Sequence, residues 1–385
     1  MIMKSKRKMI LAAAALIMAA SCDNAEYSVI DNAVFISEAA PEDKFNQQVE
    51  SIIVEGTVTR TLTIRLAKAL DTDIEVSLGM DGDFIAGYNE RKGTSYLILP
   101  EEYLAFDRKV TIEAGSLAKT VTLEIREFTS PNGEAYAIPL QIESVSGPVG
   151  TAGDARHIMF ILMTPNIQKA PKLTATNSGG CSVTFDNPQL MNLSEWTLEF
   201  WMMMDAEDGN NAFYSNSSPL GFGVFYFRWW AKNTAGDGPW FQNQLDGVYL
   251  DDHSHPWEAG RWYHVCYTYS NDLMQLYING EKDADLQFTA GRTFSFGRLN
   301  LCSGLGYMQF YSLAQIRLWN KCLAQSTIQD AMNRAVPVDS PGLCAYWKFD
   351  EGSGKILKEA VNGYDIELKT TPTWFDDINF LHPND

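Results

Sequence analysis

Between residues 33 and 163, apolar side chains recur at every second position. Leu62, Ile64 and Leu66 alternate with polar neighbours, as do Ile74, Val76 and Leu78. The same spacing returns in Val121, Leu123 and Ile125, in Ile138, Leu140 and Ile142, and in Ile158, Phe160 and Leu162. Period-two runs broken by Gly, Asp and Asn predict short strands with one buried face. No long 3.6-residue pattern competes, so this region reads as an antiparallel sandwich. Phe84 to Leu104 is less regular and reads as an insertion or long loop with a helical turn. Thr164 to Thr174 carries two prolines and little apolar surface, the pattern of an inter-domain linker.

The second half is again strand-rich but more aromatic. Nine of the ten tryptophans lie between Trp196 and Trp347, and the last is Trp374. Trp196, Leu198, Phe200 and Met202 alternate as one buried strand face. Met274, Leu276 and Ile278 run into Asn279-Gly280, a strong hairpin signal. A short amphipathic helix is predicted around Ser326 to Arg334, with Ile328, Ala331 and Met332 on one face. Short strands over about 200 residues predict a large sandwich or jelly roll.

Two resemblances sharpen this picture. Asp83-Phe84, Tyr88-Asn89, Gly93-Thr94-Ser95-Tyr96 and Leu99-Pro100 are followed by Thr111 to Ser116, Tyr136 to Leu140 and Ser144 to Gly147. This series resembles an N-terminal immunoglobulin-like domain of unknown function, found at the start of surface lipoproteins linked to glycan capture and degradation. In the second half the ordered segments are Trp196 to Trp201, Arg261 to Val265, Leu276 to Gly280, Ile316 to Asn320 and Gly342 to Gly352. They resemble the laminin-G-like branch of the concanavalin A-like lectin and glucanase sandwiches. The resemblances imply an all-β chain, an immunoglobulin-like β-sandwich followed by a concanavalin A-like jelly roll. They also imply glycan as a partner and Ca2+ as a family-level ligand.

The N-terminus adds a location. Lys4, Lys6, Arg7 and Lys8 precede the uncharged run Met9 to Ala20, which is shorter than the roughly 18 residues a membrane span needs. Ala19-Ala20-Ser21-Cys22 resembles a bacterial lipobox, with Ala19 where Leu is usual. The expected organisation is a signal peptide over 1–21, a lipidated tether over 22–32, a first sandwich over 33–163, a linker over 164–174 and a second sandwich over 175–385. Lipidation of Cys22 would anchor the exported chain in the outer membrane. The family resemblance favours the cell-surface face, where outer-membrane protein partners are within reach.

Charge narrows the partners. The net charge is −18, and beyond Cys22 no block of Lys and Arg is present. An acidic chain without a basic patch does not suit nucleic acid. Besides Cys22 there are five cysteines, Cys181, Cys266, Cys302, Cys322 and Cys344. They stand singly in apolar contexts and read as buried structural thiols.

Chemistry concentrates between Phe222 and Trp257. Aromatic rings stack on the C–H faces of sugars, while amides, carboxylates and guanidinium groups meet their hydroxyls. Alternation requires Phe225, Phe227 and Trp229 to face one way and Tyr226, Arg228 and Trp230 the other. The expected ligand set is Arg228, Trp230, Trp240, Asn243, Tyr249 and Trp257. Asp251, His253 and His255 would share a face if extended and form a weak metal candidate, against the plainer reading of a polar loop before Pro256. A glycoside hydrolase needs two carboxylates about 5–10 Å apart. Glu-x-Asp-x-x-Glu is absent, and Glu199 reads as a lone outward-facing polar residue. No catalytic residue is predicted. The leading expectation is a surface glycan-binding protein serving polysaccharide utilisation. The alternatives are an adhesion or structural module that binds another surface protein, and an unrecognised glycoside hydrolase.

Overall fold

A computed structural model describes residues 32–39, 49–130, 133–205, 218–223, 225–230, 240–245, 248–252, 255–304 and 310–385. Cys22, His253, the expected signal peptide and nearly all of the tether lie outside the described residues. The chain is all-β and forms two sandwiches.

In the first sandwich the alternating apolar positions turn inward. Val58–Leu66 buries Leu62, Ile64 and Leu66. One sheet runs in the spatial order Gly150–Thr151, Ala33–Ile36, Val58–Leu66, Ala118–Ile125 and Leu104–Ala105. The facing sheet runs Val49–Ile53, His157–Met163, Tyr136–Val145, Ile74–Met80 and Lys109–Ile112, with Leu97–Ile98 parallel to Tyr136–Val145. Ile36, Leu123, Ile138 and Phe160 belong to the core between them.

The Phe84 to Leu104 stretch holds more than a helical turn. Gly82–Lys92 is an α-helix of 11 residues. The Asp81 carboxylate caps it, accepting from the backbone N–H groups of Asp83 and Phe84 at 3.1 and 3.0 Å. Only Phe84 and Ile85 of this helix are buried, so its apolar stripe is too sparse to give a 3.6-residue signature. Residues 164–174 also depart from the expected linker. Ile167–Pro171 pairs antiparallel with Trp374–Asn379, so this segment is built into the second half of the fold.

Among the described residues, the second sandwich has two six-stranded sheets. The front sheet runs Ser182–Thr184, Arg298–Gly304, Ser218–Phe222, Phe225–Trp230, Trp240–Leu245 and Val248–Asp252. The back sheet runs Glu281–Gln287, Leu273–Ile278, Trp262–Ser270, Trp196–Asp205, Phe310–Trp319 and Leu343–Trp347. Trp196, Leu198, Phe200 and Met202 point from the back sheet into the core between them, as their alternation requires. Asn279 and Gly280 both adopt positive φ, 51° and 79°, the geometry of a two-residue hairpin turn. The helix near 326–334 forms as Gln325–Ala331, with Ile328 and Ala331 buried. Cys181, Cys266 and Cys344 are buried and Cys322 half-buried, all four as free thiols.

The back sheet is covered on both faces. On the side away from the core, Trp201 and Met203 pack with Ala170, Ile378 and Phe380 of the added strand pair and its continuation. Trp319 and Tyr346 pack there with Ile328 and Ala331 of the helix. This third layer overturns the outward-facing expectation for Glu199. Glu199 does point away from the inter-sheet core, but it is 0% exposed. Its Oε1 accepts from Arg317 Nη1 at 3.3 Å and Trp319 Nε1 at 3.0 Å, and its Oε2 lies 3.2 Å from His264 Nε2. Burial alone would raise its pKa; Arg317, then His264 and Trp319, outweigh that and lower it to about 2. Arg317 also donates to the Ala331 carbonyl at 3.1 Å and to the Arg334 carbonyl. The buried charge pair therefore holds down the C-terminal end of the helix, whose last carbonyls have no partner within it.

Candidate binding face

The front sheet offers one face to the core and one away from it. Phe227 and Leu250 are buried, and so are Leu299 and Leu301. Strand alternation places their neighbours on the opposite face. Register then aligns these neighbours into rows across the strands. Ser182 pairs with Asn300, Asn300 with Gly221, Gly221 with Tyr226, Tyr226 with Gln244 and Gln244 with Tyr249. That row crosses the whole sheet, about 24 Å at ~4.8 Å per strand spacing. A second row aligns Arg228, Gln242 and Asp251, and Trp230 stands opposite Trp240. Arg298 Nη2 donates to Ser182 Oγ at 2.9 Å at one edge, and Tyr249 is 43% exposed at the other.

By register, Arg228, Trp230 and Trp240 occupy strand positions alternate to Phe227 and Asn243, in the same set of positions as Tyr249. Asn243 lies in the other set. It pairs with Phe227 and Leu250 in register and is 0% exposed, because period-two alternation sends it inward with them. Trp257 is also redirected. It is buried in the inter-sheet core, with its ring 4.8 Å from Tyr263 and 4.6 Å from His255. The chain after Pro256 turns inward, where a large ring removes more apolar area from water than it would in a loop.

Of the expected metal set, only His255 has a described side chain. Asp251 lies on the strand Val248–Asp252, and His253 is outside the described residues. His255 turns into the Trp257–Tyr263 cluster, its Nδ1 3.9 Å from Asp283 Oδ1. Among the described residues no three His, Cys, Asp or Glu side chains converge as a metal site.

Sequence reading passed over Gln242, Asn300 and Ser182. Gln242 could have been found from the same alternation that selected Arg228. Asn300 and Ser182 lie far away in sequence, and only strand register brings them into the row.

Residues 177–329 match the model of the concanavalin A-like lectin/glucanases superfamily. Residues 30–149 match a second family model, that of an N-terminal domain. The front sheet thus lies within the concanavalin A-like region. No curated protein matches the chain. Among solved structures, a candidate carbohydrate-binding protein from Bacteroides ovatus is 20% identical, with a TM-score of 0.53 over 89% of this chain and 97% of that one. At that identity the likeness concerns the fold, and it extends across both sandwiches. A two-domain protein of unknown function from Bacteroides fragilis is 10% identical over 74% of this chain and 94% of that one, with a TM-score of 0.29. Domain 4 of AbnA, a GH43 extracellular arabinanase from Geobacillus stearothermophilus solved with arabinotriose, is 13% identical over 37% of this chain and 68% of that one, with a TM-score of 0.27.

Proposed function

We propose that the protein is a non-catalytic glycan-binding protein whose front sheet is the binding face. The observation that carries this reading is the row Ser182, Asn300, Gly221, Tyr226, Gln244 and Tyr249. It aligns aromatic, amide and hydroxyl residue types in backbone register across the strands, the mixture that sugar rings and their hydroxyls require. Asp251 is the single acid in the aligned rows, whereas hydrolysis needs a pair. The concanavalin A-like match and the carbohydrate-related description of the Bacteroides ovatus structure support the same reading.

In this proposal Cys22 carries the lipid, the first sandwich stands next to the outer membrane, and the second faces the medium to capture glycans for polysaccharide utilisation. The test is a glycan array spanning plant polysaccharides and host N-glycans, followed by titration of any hit. Saturable binding that weakens at least tenfold in Gln244→Ala and Tyr249→Ala, with unchanged thermal midpoints, is expected. Absence of binding across the array overturns the reading. Labelling of intact cells with an impermeant reagent tests the location, and complete protection refutes surface exposure.

A further inference from the structure

The two sandwiches meet along the helix Gln325–Ala331. Thr327 Oγ1 donates to the Lys92 carbonyl at 3.1 Å, and Arg334 Nη1 donates to the Gly133 carbonyl at 3.5 Å. Gly133 approaches so closely that a Cβ there would lie 2.9 Å from the Val336 carbonyl carbon. Two clefts, of about 300 and 210 Å³, open beside these contacts, and Asp330 lines both.

Asp330 is thus a carboxylate set between the two halves of the molecule, with 15% of its side chain exposed. Apolar side chains of the first sandwich stand opposite it, Phe128 and Leu162 in the larger cleft and Ile161 in the smaller. Its ion-pair partner is Arg334, Nη2 to Oδ2 at 3.0 Å. That guanidinium is shared with the Gly133 and Ala335 carbonyls. The titratable groups across the junction are Tyr88, Tyr96 and Lys92 in the smaller cleft and Glu127 and Glu134 in the larger. Among the described residues, no cation of the first sandwich pairs with Asp330. Burial, then the Asp330 charge, raises the Tyr88 phenol, so the carboxylate is felt across the junction.

Closing the junction therefore strips water from a carboxylate and adds no new cation. The ion pair it keeps lies wholly within the second sandwich. A buried carboxylate in such surroundings favours its neutral form. From this geometry we infer that Asp330 is a proton-responsive latch: proton uptake there tightens the contact between the sandwiches, and proton loss loosens it. Burial pushes the docked Asp330 above its ordinary 3.8, and Arg334 offsets this only in part. With the sandwiches apart, Asp330 meets water and titrates near that ordinary value. The added docking strength is complete below 3.8 and is lost as pH rises through the raised docked value.

The test is hydrogen exchange of the full chain, followed from pH 4.5 upward, where the Glu199 contribution is complete. The segments around Gly133 and Ala335 report on the junction, and the strand Ala118–Ile125 of the first core is the reference at each pH. Relative protection of the junction should rise at least about threefold from mildly alkaline pH down to the acid end of the range. Asp330→Asn should hold the high protection at every pH. Arg334→Met removes the one cation beside the carboxylate, so the midpoint of the response should move to higher pH. A flat profile in the parent, an unchanged pH response or lost protection in Asp330→Asn, or a midpoint that stays or falls in Arg334→Met overturns the inference.

Discussion

Replacing Arg317 by Met tests whether the buried charge network holds the third layer in place. The guanidinium serves Glu199 at 3.3 Å, the Ala331 carbonyl at 3.1 Å, Gln315 Oε1 at 2.9 Å and the Arg334 carbonyl, with only 1% of the side chain exposed. Met matches its stem but restores none of these bonds. Removing one partner of a buried ion pair costs ~3–5 kcal/mol, because the other charge is left unmatched. Each orphaned carbonyl adds about 1–3 kcal/mol. Glu199→Gln should cost less, about 3 kcal/mol, since Arg317 keeps its carbonyl partners. In Glu199→Gln/Arg317→Met neither charge remains, and the double variant should be more stable than the sum of the two losses by about 2 kcal/mol. Urea unfolding followed by tryptophan fluorescence measures this cleanly, because all ten tryptophans lie between Trp196 and Trp374, beyond the first sandwich. Additivity within about 0.5 kcal/mol would refute the coupling, and with it the argument that the pair acts as a unit.

Two further outcomes follow from the same region. Glu199 titrates near 2 in the fold against an ordinary 4.5, so its contribution is fully present above pH 4.5 and is lost as pH falls from 4.5 towards 2; the urea midpoint of the second sandwich should fall across that window, and Glu199→Gln should flatten the slope. Gly280→Ala should destabilise by ~1–3 kcal/mol, because Gly280 sits at φ 79° and the new Cβ would lie 2.9 Å from Gln329 Cγ; a thermal midpoint equal to that of the parent would refute the assigned turn.

The strands were legible where one face meets a core and the other meets water. Leu62, Ile64 and Leu66 announce themselves by contrast with their neighbours, and Asn279-Gly280 marks its turn because few other residue pairs adopt two positive φ values. Legibility failed where a residue's surroundings come from distant parts of the chain. Glu199 looks like a surface carboxylate within its own strand, and its burial depends on a helix more than 120 residues downstream. Ile167–Pro171 looks like a linker because its partner, Trp374–Asn379, lies near the other end of the sequence. On the front sheet, alternation was applied to Arg228 and Trp230 but was not extended to Asn243, where the same rule points inward.

The cover over the back sheet also orients the molecule. The helix Gln325–Ala331 lies on the outer side of that sheet and touches the first sandwich through Thr327 and Lys92. The first sandwich is therefore mounted behind the second, and the front sheet looks the other way. A bulky tag, an immobilising surface or a neighbouring protein attached through the first sandwich approaches from the rear. Tyr249, 43% exposed at the edge of the front sheet, lies away from that attachment, so the chain can be fixed through the first sandwich without covering it.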